Sequence, residues 1–244
     1  MRLYAFYTSS HKKLLDEWFL PSLKDDFELV LEEHTQECLM AKFMSKGWND
    51  CMIRKVDLII RAIQENPDQI FIHSDVDIQF FKPTKEIILK SMKGHDMVIQ
   101  KESLFGTICP GFFATYGNSK NLKLWQDIKQ ELAGQSEKHD QDILNDKLIR
   151  SAPNILQIIV DKMSLPNRSF LPNLYGIKWG YLPDSFYSPG ISKEKTFSKN
   201  NILWQKGDKL TIPKNILLHH ANWTIGMDNK IAQLEYVKGV VNPT

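Results

Sequence analysis

The chain predicts an α/β fold built on a central, mostly parallel sheet with helices on both faces. Three observations carry that prediction. Strand-like and helix-like segments alternate through the first two-thirds of the 244 residues, as parallel strands joined by crossover helices do. Ile70-Phe71-Ile72 and Met97-Val98-Ile99 are continuous apolar runs, the mark of strands buried on both faces. Between Met52 and Ile63, the residues Val56, Ile59, Ile60 and Ile63 recur at helical spacing.

In chain order, Leu3 to Tyr7 reads as the first strand, emptying into polar Thr8-Ser9-Ser10. Open α/β sheets place ligands at such carboxyl ends. Lys12 to Phe19 reads as a helix with Leu14, Leu15, Trp18 and Phe19 on one face, stopped by Pro21. Glu28 to Glu32 is a second strand, and the helix from Met52 to Ile63 ends at Asn66-Pro67-Asp68. After the two apolar strands come a strand over Phe112 to Tyr116 and helices over Leu122 to Leu132 and Asp142 to Ile149. Beyond about Pro153, the prolines Pro166, Pro172, Pro183, Pro189 and Pro213 divide an aromatic-rich stretch into short strands and loops. That last third reads as an irregular layer packed on the sheet, not as an independent domain.

Composition excludes several classes of function. With 31 Lys+Arg against 29 Asp+Glu, no basic stripe marks a nucleic-acid partner. Cys38, Cys51 and Cys109 have no metal-type spacing and are odd in number, so they read as buried or free thiols in a reducing compartment. The apolar N-terminal stretch ends by Thr8, too short for a signal core. No window approaches the roughly 18 apolar residues of a spanning helix. The expectation is a cytoplasmic protein without a transmembrane segment.

The chemistry concentrates in His73-Ser74-Asp75-Val76-Asp77. A strand apolar on both faces delivers two carboxylates to its carboxyl end, and desolvated carboxylates repel unless a cation sits between them. A hard divalent ion answers this, taking one or two carboxylates and leaving sites for substrate phosphates. The alternative is a solvated turn. Near the other end, His219-His220-Ala221-Asn222-Trp223 precedes Gly226 and Lys230. An imidazole suits a third metal ligand, Gly226 allows close backbone approach to a phosphate, and Lys230 can neutralise a diphosphate. The bland reading is two structural histidines and a solvated lysine. Gly111 either leaves room for a ligand or marks a turn. Asp140-Gln141 either caps a helix or holds sugar hydroxyls. Lys55, on the helix face away from Val56 and Ile59, is either solvated or a ligand contact.

In this order, His73-Ser74-Asp75-Val76-Asp77, Pro110-Gly111-Phe112-Phe113, Asp140-Gln141-Asp142-Ile143-Leu144-Asn145 and His220-Ala221-Asn222-Trp223 with Gly226 and Lys230 resemble the nucleotide-diphospho-sugar transferases of the GT-A fold. The resemblance implies one Rossmann-like α/β/α domain over residues 1–244, with a mixed sheet. Residues 1–152 would bind the nucleotide sugar, and residues 153–244 would build the acceptor side and close the metal site. It implies a glycosyltransferase using Mn2+ or Mg2+, held by Asp75, Asp77 and His220; His220 is preferred to His219 because the family pattern is His-x-Asn. Thr8, Ser9, Lys55, Asp75, Gly226 and Lys230 would contact the donor, and Asp140 and Gln141 would act at the reacting carbon. A retaining reaction is expected, with a glycan or small-molecule acceptor and a place in polysaccharide biosynthesis. Were the reaction inverting, Asp140, with Asp184 behind it, would be the candidate base. Two departures stand out: His139 replaces the aromatic that often precedes Asp-Gln, and the Pro-rich segment 166–213 fits no pattern. A metal-dependent phosphoryl or nucleotidyl transferase would want a Gly-rich phosphate loop, which the sequence lacks. A saccharide-binding module would bind sugar whether or not metal is present.

Overall fold

The computed structural model describes residues 1–38, 46–134, 138–150, 167–192 and 203–242. Its strands are β1 (Arg2–Thr8), β2 (Glu28–His34), β3 (Ile70–Ser74), β4 (Ile78–Phe80), β5 (Met97–Lys101), β6 (Ile108–Tyr116), β7 (Trp179–Tyr181), β8 (Phe186–Tyr187) and β9 (Leu218–His220). The principal helices are α1 (Trp48–Glu65), α2 (Lys85–Ser91), α3 (Ser119–Ala133), α4 (Asp140–Asn145) and α5 (Met227–Val241). The main sheet has the order β2-β1-β3-β6-β5-β7. β1 is parallel to β2 and β3, β5 is parallel to β7, and β6 runs antiparallel between β3 and β5. The sheet is therefore mixed and mostly parallel, as expected.

The apolar runs divide between two cores with the period of two that a strand imposes. Tyr4, Phe71, Met97, Ile99 and Phe113 face α1 and α3, joining Val56, Ile59, Ile63, Trp125 and Ile128. Their neighbours Leu3, Ala5, Ile72, Val98, Phe112 and Ala114 face the other way, onto Leu14, Phe19, Ile78, Phe80 and Leu234. Both sets are fully buried, which is why these strands read as unbroken hydrophobic runs. Each large side chain so buried stabilises the fold by roughly 1.5–3 kcal/mol.

Several elements differ from expectation. Residues 9–22 form one helical run that passes through Pro21 to Ser22. Its middle is a π turn, Leu15–Phe19, in which Leu20 N–H donates to Leu15 O; this register change accommodates the proline. The strand expected from Phe112 begins four residues earlier, at Ile108, so Gly111 lies within it. The expected helix from Asp142 to Ile149 is α4 followed by a second π turn, Asp146–Arg150. Helices α2 and α5 were not foreseen; α5 buries only Gln233, Leu234 and Val237, too sparse an apolar face for periodicity to reveal. In the irregular last third, β7 joins the main sheet, while β8 and β9 form a second sheet with β4. Pro166 and the stretch around Pro153 lie outside the described residues. Among the described residues no helix is long and apolar enough to cross a membrane.

Candidate active site

The carboxyl ends of β1, β3 and β5 and the amino end of the reversed strand β6 meet at one edge of the sheet. There the chain turns through Asp75-Val76-Asp77 into β4. Backbone bonds fix that turn: Asp75 N–H donates to Gly111 O at 2.7 Å, and Ala221 N–H donates to Asp77 O at 2.8 Å. β4 pairs antiparallel with β9 in a register that sets Ile78 opposite His220. Strand pairing thus brings together groups 143 positions apart (220 − 77). His220 Nε2 lies 3.3 Å from Asp77 Oδ1 and 4.0 Å from Asp75 Oδ2. One ligand atom from each of Asp75, Asp77 and His220 falls within 4.8 Å of the others.

Gly111 makes the room for this cluster. A Cβ there would overlap His220 Cε1 and stand 2.8 Å from Asp75 Oδ2. Of the two readings of Gly111, the structure therefore supports close approach; the glycine is in a strand and not at a turn.

The ring of His220 is oriented from behind. Gln100 donates its amide N–H groups to Phe186 O and Tyr187 O, both at 3.1 Å. Its Oε1 then faces His220 Nδ1 at 2.9 Å. The proton accordingly sits on Nδ1, leaving the Nε2 lone pair for the carboxylate side, the usual arrangement behind a metal-binding imidazole. Two carboxylates and one such imidazole, converging where a glycine leaves space, fit a divalent ion of the manganese or magnesium type. His219 points elsewhere: it is fully buried, with Nε2 3.1 Å from Gln233 Oε1.

Lysines hold the carboxylates as anions. Lys55 is buried, 4% exposed, with Nζ 3.0 Å from Asp75 Oδ1 and 3.3 Å from Asp140 Oδ2. Its solvated reading is thereby overturned. Burial alone would depress the Lys55 ammonium, but Asp75 and Asp140 outweigh it and raise its pKa. For Asp140 burial pushes up, and Lys55 and His139 more than reverse it, holding the carboxyl well below its usual range. Lys230 Nζ pairs with Asp77 Oδ2 and donates to Ala221 O at 3.0 Å. Burial raises Asp77 too, yet Lys230 and His220 leave its pKa well below the ordinary value.

A cavity of about 570 Å³ opens over these groups and is lined by Thr8, Lys55, Asp75, Asp77, Asp140, Gln141, His220, Gly226 and Lys230. Ser9 is exposed and is not part of the lining. Asp184, 68% exposed and 4.0 Å from Lys101, is also outside it. Asp140 does not cap its helix: His139 is the N-cap and no side chain caps α4. Gly226 adopts φ 87° and ψ 149° at the start of α5, a conformation close to glycine-only. Sequence reasoning passed over Gln100 and Glu102. Both sit at the carboxyl end of the apolar run Met97-Val98-Ile99, so the rule that singled out Asp75 behind Ile70-Phe71-Ile72 would have found them.

A family model of nucleotide-diphospho-sugar transferases matches residues 27–234. Among solved structures, the chain superposes on a glycosyltransferase involved in the glycosylation of the major capsid of PBCV-1, with a TM-score of 0.53 at 11% sequence identity. That match covers 97% of this chain and 100% of the other, a likeness of fold that identifies the GT-A architecture. No curated protein matches.

Proposed function

The chain belongs to the nucleotide-diphospho-sugar transferase family, and from that premise we propose that this glycosyltransferase is metal-dependent and retaining, with a glycan hydroxyl as its acceptor. The convergence of Asp75, Asp77 and His220 within 4.8 Å carries the metal dependence. Manganese is our preferred ion and magnesium the alternative; when bound, it neutralises charge on the departing diphosphate. Lys230 and the first turn of α5, starting at Gly226 on the cavity wall, bind the diphosphate, since helix N-termini and ammonium groups both favour anions. Thr8 and Ser9, after β1, lie on the nucleotide side, and residues 1–152 carry most of the donor site. Residues 153–244 carry the acceptor side and close the metal site.

Asp140 and Gln141 act at the donor sugar. The Lys55 ammonium, 3.3 Å from Asp140, keeps that carboxyl ionised, and an acid so stabilised is a weak proton acceptor. Its role is to face positive charge developing at the anomeric carbon, while Gln141 orients the sugar. This supports attack from the leaving-group face over deprotonation by Asp140, and hence retention. Lys55 maintains the spacing of Asp75 and Asp140 around the donor. The buried thiols of Cys38, Cys51 and Cys109 support a reducing, cytoplasmic setting, where we place the enzyme in polysaccharide biosynthesis.

A thermal-shift panel of nucleoside diphosphates and nucleotide sugars, with and without manganese, on wild type and Asp77→Ala tests the reading. A ligand at 100 times its Kd adds about 2.7 kcal/mol. Stabilisation that needs both the ion and Asp77 is expected and identifies the base. Absence of a shift with every nucleotide refutes the proposed donor site.

A further inference from the structure

Four carboxylates line the cavity: Asp75, Asp77, Glu102 and Asp140. Lys55 pairs with Asp75 and Asp140, and Lys230 with Asp77. Glu102 has no ion pair among the described residues, although it is only 6% exposed. Its Oε2 accepts from Asn222 Nδ2 at 2.8 Å, and Ser188 Oγ, 3.1 Å from Asn222 Oδ1, approaches it at 3.5 Å. Burial pushes the Glu102 carboxyl up from its usual range, against the opposing influence of His220 and of Cys109, Gln141 and Trp223, which also reach it. A buried carboxylate without a cation is costly, and a glutamine could hold Asn222 equally well. A carboxyl group held by polar donors on a cavity wall, and not by a lysine or arginine among the described residues, is equipped to accept a further hydrogen bond from a ligand.

A second costly feature adjoins it. Trp223 holds φ 55°, a left-handed conformation that is strained for a non-glycine residue. Its indole packs against Gly190, where a Cβ would stand 2.5 Å from Trp223 Nε1 and 2.7 Å from Cε2. An aromatic side chain and an acceptor-only carboxylate are thus fixed side by side on one cavity wall, next to Gln141. An aromatic supplies rigid apolar area, and an ionised carboxylate supplies hydrogen-bond acceptors; a neutral sugar, with C–H faces and hydroxyls, uses both.

We infer that Glu102 and Trp223 form the acceptor subsite and that it takes a neutral sugar, one of whose hydroxyls donates a hydrogen bond to Glu102. The inference rests on the transferase reading above. It is tested with the nucleotide sugar found by thermal shift, manganese, and a panel of methyl glycosides of the common hexoses as acceptor probes. Glu102→Gln keeps the size of the side chain and its bond to Asn222. We expect it to raise the KM of a glycoside used by wild type at least tenfold. The Kd of nucleoside diphosphate with manganese should stay within twofold, and hydrolysis of the donor by water should continue.

An acceptor KM unchanged within twofold overturns the assignment, as does a parallel loss of nucleotide affinity, which would mean that Glu102 serves the metal site. If Glu102→Gln does not fold, Glu102→Asp, which keeps the charge but shortens its reach, is judged by the same two constants. A wild type that hydrolyses donor but uses none of the glycosides overturns the neutral-sugar acceptor alone. A wild type that binds no nucleotide with manganese sinks the transferase reading, and this subsite with it.

Discussion

Replacing Gly111 by alanine tests the proposed metal site through one atom. The added Cβ would overlap His220 Cε1 and lie 2.8 Å from Asp75 Oδ2 and 3.0 Å from His220 Nε2, all inside the roughly 3.5 Å at which such atoms cease to repel. Neither neighbour can yield freely. Asp75 is tied by its own N–H to Gly111 O at 2.7 Å, and His220 is tied to Gln100 Oε1 at 2.9 Å. The imidazole must therefore turn or the strand must shift, and both spoil the ligand geometry. Disturbing the groups that orient metal ligands typically weakens metal binding by about 10–100-fold.

At an ion concentration 100 times the wild-type Kd, binding stabilises wild type by about 2.7 kcal/mol; a 100-fold weaker variant keeps only about 0.4 kcal/mol. For a chain of this size, about 2–4 °C of Tm accompanies each kcal/mol. The manganese-induced shift should fall from about 5–11 °C in wild type to about 1–2 °C in Gly111→Ala for a 100-fold loss, or about 3–6 °C for a tenfold one. Gly117→Ala is the control: its Cβ would collide with Asn66 O and Ile63 O, away from the cavity. That variant should lose about 1–3 kcal/mol of stability from overpacking yet keep the manganese shift. A full shift in Gly111→Ala would refute the argument that Gly111 makes room for the ligands.

Gln100→Leu removes the acceptor behind His220 Nδ1 and should weaken manganese binding by about 10–100-fold in calorimetric titration; an unchanged Kd would show that the ring is held by other groups. Lys230→Ala removes a charge-assisted contact of about 1.5–3 kcal/mol, so nucleoside diphosphate affinity should drop by about one to two orders of magnitude, measured with manganese present. Lys55→Met leaves buried Asp140 and part-buried Asp75 without their cation and should cost about 3–5 kcal/mol in urea unfolding of the metal-free protein at pH 7. The sign of its pH dependence follows from the depressed Asp140 carboxyl. The folded state binds fewer protons than the unfolded chain, so the contribution is full above about pH 4 and fades as pH falls below it. The deficit of Lys55→Met should therefore be largest at neutral pH and shrink with acidification; a deficit independent of pH would exclude an ionic origin.

The parts of this protein that the sequence determined by itself are those with local causes. Val56, Ile59 and Ile63 declare a helix because one face is apolar, and Ile70-Phe71-Ile72 declares a buried strand because both faces are. From that strand the position of Asp75 and Asp77 at a ligand-binding edge follows directly, since strand ends in open α/β sheets point there. Where local cause is weak, the reading failed: α5 shows little apolar periodicity, and Pro21 is admitted by a π turn that no proline rule anticipates.

Tertiary structure alone decided which polar groups meet. Lys55, four residues before Ile59, lies on the buried stripe of α1 with Cys51, Leu58 and Ala62, which corrects the reading that set it on the opposite face, yet only the packing of α1 beside β3 and α4 reveals its two carboxylate partners. The register of β4 on β9 sets His220 beside Asp77, and Gln100 reaches His220 across 120 positions. Glu102 follows an apolar strand as Asp75 does, but only the fold shows that it is buried with no ion pair among the described residues. Periodicity reports whether a residue faces water or protein on its own element, whereas a site depends on distances between elements that sequence spacing does not encode.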